Sequence, residues 1–206
     1  MTAPATPDPI SKLIVHTRLE GGRRVCIRAV RPDDEPRMRS GIEQLSGQSR
    51  YLRFFSSAPA LPDKVIAKLV AVDGHRHLAW GAILTDDPDH LAIGAVHAVR
   101  GDAHNSTAEF AVGILDDFHG QGLARMLTAV LLVHCRVEGI AAMDVQILSE
   151  NHAAANLVRS LGGKRCRTEQ GVSDYTLDTA AALTALQANT EPAGLHDVFA
   201  ALELFL

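Results

Sequence analysis

The run AEFAVGILDDFHGQGLARML, residues 108–127, joins a carboxylate, an apolar strand and a glycine turn. Glu109 precedes Phe110, Val112, Ile114 and Leu115, whose spacing predicts a strand. Asp116 and Asp117 mark a turn, and Gly120, Gln121 and Gly122 open an amphipathic helix. A carboxylate at the head of a strand is a candidate proton acceptor. A helix start offers unpaired N–H groups and a partial positive charge, so Gly120, Gln121, Gly122, Leu123, Ala124 and Arg125 form a candidate cradle for a diphosphate. The plain counterpart is a turn that needs two glycines for its own geometry.

GQGLAR partly imitates the G-x-G-x-x-G dinucleotide fingerprint between a strand and a helix. Arg125 holds the third glycine position, and the turn lies in mid-chain after several strand-like segments. Asp144, the nearest acidic candidate, opens the next apolar strand, whereas a ribose-binding carboxylate belongs at a strand's C-terminal end. A dinucleotide is therefore disfavoured. H-G-Q-G-L-A, residues 119–124, resembles instead the acetyl-CoA signature Q/R-x-x-G-x-G/A of the GNAT N-acetyltransferases. Gly122 and Ala124 fit it, and His119 stands where the family has Gln or Arg.

Downstream, NHAAANLVRSLGG, residues 151–163, resembles a second GNAT landmark, an Asn that begins a helix ending at Gly-Phe. Asn151 and Gly162 match. The resemblance places Asn151 beside the pantetheine arm, and it is equally suited to cap the helix. Val158 stands where many members carry a tyrosine acid, and Gly163 replaces the Phe. VCIRAVRPDDEPRM, LSGQSRYLRFF and VDGHRHLAW, in that order, resemble the GNAT domain of bacterial Pat-type protein lysine acetyltransferases, and the likeness runs from about Arg23 to Leu177. In that subfamily the Glu of the AE pair is the general base, here Glu109, and the helix Tyr need not be present. Its larger members carry a cyclic-nucleotide-binding or an acyl-CoA-synthetase-like domain.

The resemblance implies acetyl-CoA as acyl donor and an amine as acceptor. Lysine has a pKa of about 10.4, so near pH 7 the scarcity of neutral amine is worth about 4 to 5 kcal/mol, and a base must take the proton. Glu109 would accept it directly or through one water, with burial beside Phe110 raising its pKa. Backbone N–H groups over Val112, Gly113 and Ile114 would receive the charge that develops on the thioester oxygen, provided the strand splays from its parallel neighbour. Gly113 inside a strand marks either a bulge or a close approach. With no tyrosine, the departing thiolate takes its proton from water, from Glu109 or from the incoming ammonium. The acceptor expected is a protein lysine; a small-molecule amine, or a non-catalytic acyl-CoA-binding role, are the alternatives.

The chain has 206 residues, 47% of them hydrophobic, enough for one sizeable core, and no apolar run long enough to span a membrane. Net charge is −4 without a Lys/Arg run or an aromatic platform, which argues against nucleic acid. Cys26, Cys135 and Cys166 form no C-x-x-C pair and suit reduced core thiols in a cytoplasmic protein. His75, His77 and His134 lack the Cys or carboxylate neighbours of a zinc site, so no metal is expected. His77, with Asp73, is placed in a loop bordering the acceptor groove.

Residues 1–22, opening on MTAPATPDPI, read as a flexible arm without a signal peptide. A domain over 23–178 follows: strand 23–30, helices 32–45, 46–55 and 62–70, strands 77–84 and 91–100, the strand from Glu109, helix 122–137, strand 144–148, helix 151–161, and strands 164–169 and 172–177. This order predicts an α/β GNAT fold, a mixed, mostly antiparallel sheet with helices on both faces and one splayed parallel pair. The Ala- and Leu-rich tail 179–206, broken at Glu191-Pro192-Ala193-Gly194, predicts helices that cover the sheet, close over the site, or pair with a second copy as a homodimer.

Overall fold

The computed structural model describes residues 9–206 except 57, 59 and 190, and several of its strands alternate buried with open residues at a period of two. The strands are β1 (Ile14–Arg18), β2 (Arg24–Ala29), β3 (His77–Leu84), β4 (Ala92–Val99), β5 (Thr107–Ile114), β6 (Ala142–Leu148), β7 (Lys164–Glu169) and β8 (Val172–Asp178). The helices are α1 (Glu35–Gln44), α2 (Gly47–Phe54), α3 (Asp63–Val70), α4 (Leu123–Val137), α5 (His152–Ser160), α6 (Thr179–Gln187) and α7 (Ala193–Ala201). All eight strands join one sheet in the order β1-β2-β3-β4-β5-β6-β8-β7. Each neighbouring pair is antiparallel except β5 with β6, which the helical crossover α4 makes parallel.

The two faces differ in what fills them. Leu78, Trp80, Ala82 and Leu84 of β3 turn to the side of α4, where the Trp80 indole N–H donates to His134 Nδ1 at 3.1 Å. α4 is buried along most of its length, from Leu123 through Cys135, and carries the main core with Val96, Phe110, Met143 and Leu177. On the opposite face Ala79 packs with Val30, Val70 and Met38 beneath α1 and α3. Opposed residues of an antiparallel ladder share a face, so the register aligns three rows there: His77, Val99, Glu109; then Ala79, His97, Ala111; then Gly81, Ala95, Gly113. Small residues in the last row leave a hollow under α1 and α2.

β1 lies within the segment 1–22 expected as an arm. Val15 and Thr17 are buried and Ile14, His16 and Arg18 exposed. Half of its inward face is thus a threonine, whose hydroxyl is 2.7 Å from Asp197 Oδ2 in α7 and donates to it. The apolar alternation is correspondingly weak, and the burying partner comes from the far end of the chain. Residues 1–8 lie outside the described residues. The tail forms α6 and α7, whose Leu183, Leu186, Leu195, Val198 and Leu202 are buried in the main core, with both helices packed on α4 and α7 also on β1. These contacts cover its own domain, one of the three roles expected for it.

The expected helix 32–45 starts as a 3-10 turn, Pro32–Asp34, before α1. Asp34 receives two hydrogen bonds from Arg28, at 2.7 and 2.6 Å, one from the Arg31 amide at 2.9 Å and one from Arg37 at 3.3 Å. Burial alone would raise its pKa; the Arg28 and Arg31 bonds outweigh it and hold the carboxyl below its ordinary value. The stabilisation is present above the unfolded-state pKa and lost as pH falls through the folded one. Asp34→Asn, which strips Arg28 of its counter-charge, is expected to lower stability by about 3 kcal/mol at neutral pH. Thermal midpoints measured against pH should show the gap to wild type shrinking below about pH 4.

Candidate active site

β5 and β6 are paired only at Thr107 with Ala142, Ala108 with Met143 and Glu109 with Asp144. Beyond Glu109 the strands part, while β5 stays on its ladder with β4 as far as Ile114. The Leu115 amide donates to Ile93 O at 2.9 Å. Hydrogen-bonded positions alternate along such a ladder, so Ala111 and Gly113 turn their amides to β4 and Val112 and Ile114 turn theirs into the gap. The expected donors thereby narrow to Val112 and Ile114. The Arg53 side chain crosses Gly113, where a Cβ would lie 3.5 Å from its Cδ and Nε, an ordinary contact distance.

The gap widens into a cleft of about 850 Å³ bordered by Val112, Gly113, Ile114, His119, Gly120, Gly122, Leu123, Ala124, Arg125 and Asn151. Gly120 and Gly122 have φ of 72° and 81°, left-handed values that glycine adopts without strain. At the start of α4 the Arg125 and Met126 amides close back on Gly122 O. The amides ahead of them have no intrahelical acceptor and face the cleft with the positive end of the helix dipole. This suits a diphosphate, and a Cβ on Gly122 would strike Pro192, 2.2 Å from its Cγ. The link before α7 therefore closes one side of the cradle, with Asn189, Glu191 and Pro192 on its border.

Side chains divide the labour differently from the sequence expectation. His119 is exposed, and its Nε2 donates to Ile114 O at 2.9 Å, satisfying a carbonyl that lost its partner when β6 turned away. Gln121 turns out of the cleft, its Nε2 donating to Asp117 O at 2.9 Å and its carbonyl end against Gly21. Arg125 borders the cleft, and its guanidinium has no hydrogen-bond partner among the described residues. Asn151 Oδ1 caps α5 by accepting the Ala154 amide at 3.0 Å while the residue also lines the cleft.

The opposite wall is α2, and Asp116 fixes it there. Asp116 accepts the Ser46 amide at 3.0 Å, the Ser46 hydroxyl at 2.9 Å and the Ser49 hydroxyl at 2.6 Å. Burial would raise its pKa, yet the Ser49 and Ser46 bonds prevail and keep it below the usual carboxylate range. The turn that starts the cradle thus also holds the N-terminus of α2, and the other end of α2 delivers Arg53. Spacing in RYLRFF had marked Arg53 only as part of a family motif; its place over Gly113 depends on tertiary packing and has no local signature.

Glu109 is the last β5 residue paired with β6, and it opens into a hollow of about 260 Å³ shared with Arg53, Phe54, Phe55, Gln146 and Val158. The alternation that buries Phe110 on the α4 side leaves Glu109 exposed on the other, so the expected burial of the carboxylate is not found. Val158 is 1% exposed and packed against Gly163, where a Cβ would lie 2.4 Å from Val158 Cγ1. His77 opens β3, not a loop, and its register row holds Val99 and Glu109. Its Nδ1 faces Ala71 O at 3.2 Å and its Nε2 lies 3.0 Å from His97 Nδ1. Burial lowers both histidine pKa values, that of His97 well below the usual one with Arg53 adding to the effect, so the pair is neutral at physiological pH.

Residues 24–164 match the acetyltransferase (GNAT) domain family model. The chain belongs to the GNAT acetyltransferases. Among curated relatives it is 28% identical over 144 residues to acetyltransferase PA5475 of Pseudomonas aeruginosa, covering 70% of this chain and 77% of that protein. It is also 28% identical over 169 residues to acetyltransferase Pat of Mycolicibacterium smegmatis, covering 81% of this chain but 47% of Pat, so it spans about half of that relative. Among solved structures, the GNAT domain of S. lividans PAT superposes with a TM-score of 0.73 at 25% identity, covering 80% of this chain and 96% of that one. The fold is the GNAT fold expected, the resemblance to Pat-type members holds, and acetyl-CoA is the acyl donor.

Gly122→Ala is expected to cost about 1 to 3 kcal/mol, because a side chain at this φ is strained and would collide with Pro192. Calorimetry should find coenzyme A affinity reduced in the folded variant. Unchanged affinity and stability would remove Gly122 from the cradle.

Proposed function

We propose that the chain transfers the acetyl group of acetyl-CoA to lysine side chains of proteins, by direct attack in a ternary complex with Glu109 as general base. The observation that carries this reading is the position of Glu109 at the fork of β5 and β6, in a hollow that meets the coenzyme cleft at Arg53 and Val112. Pat-type relatives support it, as does the open acceptor side, where Glu109 and the 43% exposed Phe55 stand within reach of a residue on another protein's surface.

Acetyl-CoA supplies an activated thioester carbonyl. The α4 N-terminus, with Gly120, Gln121, Gly122, Leu123 and Ala124 contributing backbone and Arg125 its guanidinium, holds the diphosphate, and Asn151 borders the pantetheine arm. The Val112 and Ile114 amides point at the gap and receive the negative charge that grows on the thioester oxygen. His119 serves this arrangement indirectly, by fixing the Ile114 carbonyl. Glu109 takes a proton from the ammonium, directly or through one water, so that the neutral amine attacks. Val158 has no proton to give, and the thiolate is neutralised by water, by protonated Glu109 or by the incoming ammonium. The catalytic unit spans residues 23–178 with 179–206 as its buttress, working in the cytoplasm, where Cys26, Cys135 and Cys166 stay free thiols.

Glu109→Gln should keep acetyl-CoA affinity and lower turnover by about 10²- to 10⁴-fold at neutral pH. The acceptor is tested by incubating labelled acetyl-CoA with a cell lysate and mapping the label. Label on protein lysines in wild type and its loss in Glu109→Gln supports the reading. Label confined to small molecules would replace the acceptor, and no label at all would make the chain a coenzyme-binding module.

A further inference from the structure

Arg53 stands apart from the other arginines that are partly or fully buried. Arg28 is paired with Asp34 and Ala29 O, and Arg100 with His75 O, Asn105 O, Glu138 O and the Glu138 carboxylate. The Arg53 guanidinium has no hydrogen-bond or ion-pair partner among the described residues, and only the ring of Phe54, 4.8 Å away, lies against it. Glu109 acts on it through space. Loss of water without a replacement partner brings its pKa down to about 10, still charged at neutral pH. A partly buried cation bordering the cleft, with no protein partner for its five N–H donors among the described residues, suits an anion.

Its position says which reactants can bring one. The stem crosses Gly113, and the tip lies where three hollows meet. One is the coenzyme cleft and one holds Glu109. The third is a small apolar space of about 80 Å³ between the row Gly81, Ala95, Gly113 and residues Gly41 and Ile42 of α1. The diphosphate cradle lies at the other end of the cleft, and an acetyl group has no charge to offer. A planar guanidinium fork matches a carboxylate in a bidentate pair, and the adjoining apolar space suits the methylenes that would carry one.

We propose that Arg53 is a carboxylate-binding residue at the reaction centre, pairing with a carboxylate that one of the two reactants brings beside the thioester. Two sources share this chemistry: the free end of a dicarboxylic acyl chain on the donor, or an acidic side chain next to the acceptor lysine. The inference rests on the proposed acyltransferase reading for the direction of the thioester along β5. Its selectivity is for charge, so it deepens the choice of substrate without altering the role of Glu109.

The test measures binding to the full chain and to Arg53→Gln and Arg53→Lys by calorimetry. The donor arm compares acetyl-CoA with succinyl-CoA. The acceptor arm compares lysine peptides carrying Glu or Gln beside the lysine, with coenzyme A saturating. Wild type is expected to favour the carboxylate member of one pair by about tenfold or more, the scale of a charge-assisted bidentate pair. Arg53→Gln should abolish that preference, Arg53→Lys keep part of it, and acetyl-CoA affinity and thermal midpoint should hold in both. The arm that responds names the source. No preference in either arm, a preference that Arg53→Gln retains, or an equal loss for both members of a pair would overturn the proposal. If coenzyme A failed to bind at all, the acyltransferase reading would fall, and the peptide arm without coenzyme would still decide the carboxylate site.

Discussion

The parting of β5 from β6 after Glu109 is the constraint on which the rest of the structure depends. Parallel strands joined by one helix ordinarily stay paired along their length, because every unpaired amide removed from water raises the energy. Here the ladder stops at Glu109 and Asp144. The Val112 and Ile114 amides face open space as a result, and the cleft they border leads directly to the start of α4. Without that divergence the helix dipole would point at a closed sheet edge, and Glu109 would be one more strand residue.

Holding two strands apart needs ties from elsewhere. His119 replaces the missing strand partner of the Ile114 carbonyl. Asp116 gathers the Ser46 amide and the Ser46 and Ser49 hydroxyls, which pins α2 as one wall. Pro192 rests on Gly122 and the α7 residue Asp197 bonds to Thr17 of β1, so the C-terminal helices fix the cradle from outside. These contacts join segments far apart in the chain, and they leave the cleft shaped before any ligand arrives, which lowers the ordering that binding must pay for.

Elements with strong local patterns were legible in advance. The apolar run of α4, the glycine turn ahead of it and the alternation in β3, β4 and β5 all predict what is found, and the order of elements leads to the mixed sheet. Features that depend on distant partners were not. β1 shows only Val15 as an apolar inward residue, since Thr17 takes the other position to meet α7. Gln121 belongs to the glycine motif by position, yet its side chain leaves the cleft for the loop at Gly21. Arg53 is visible in the sequence as a residue type, while its lack of a partner exists only once Gly113, Phe54 and Glu109 surround it. Glu109 itself was expected to be buried by its neighbour Phe110, and strand alternation sends the two to opposite faces.

Residue-resolved amide hydrogen exchange tests the splayed strand most directly. In the free protein the Val112 and Ile114 amides should exchange much faster than those of Ala111 and Gly113, which bond to β4, and coenzyme A should slow them. Equal protection of all four amides without ligand, or no change at Val112 and Ile114 when coenzyme A binds, would contradict the account.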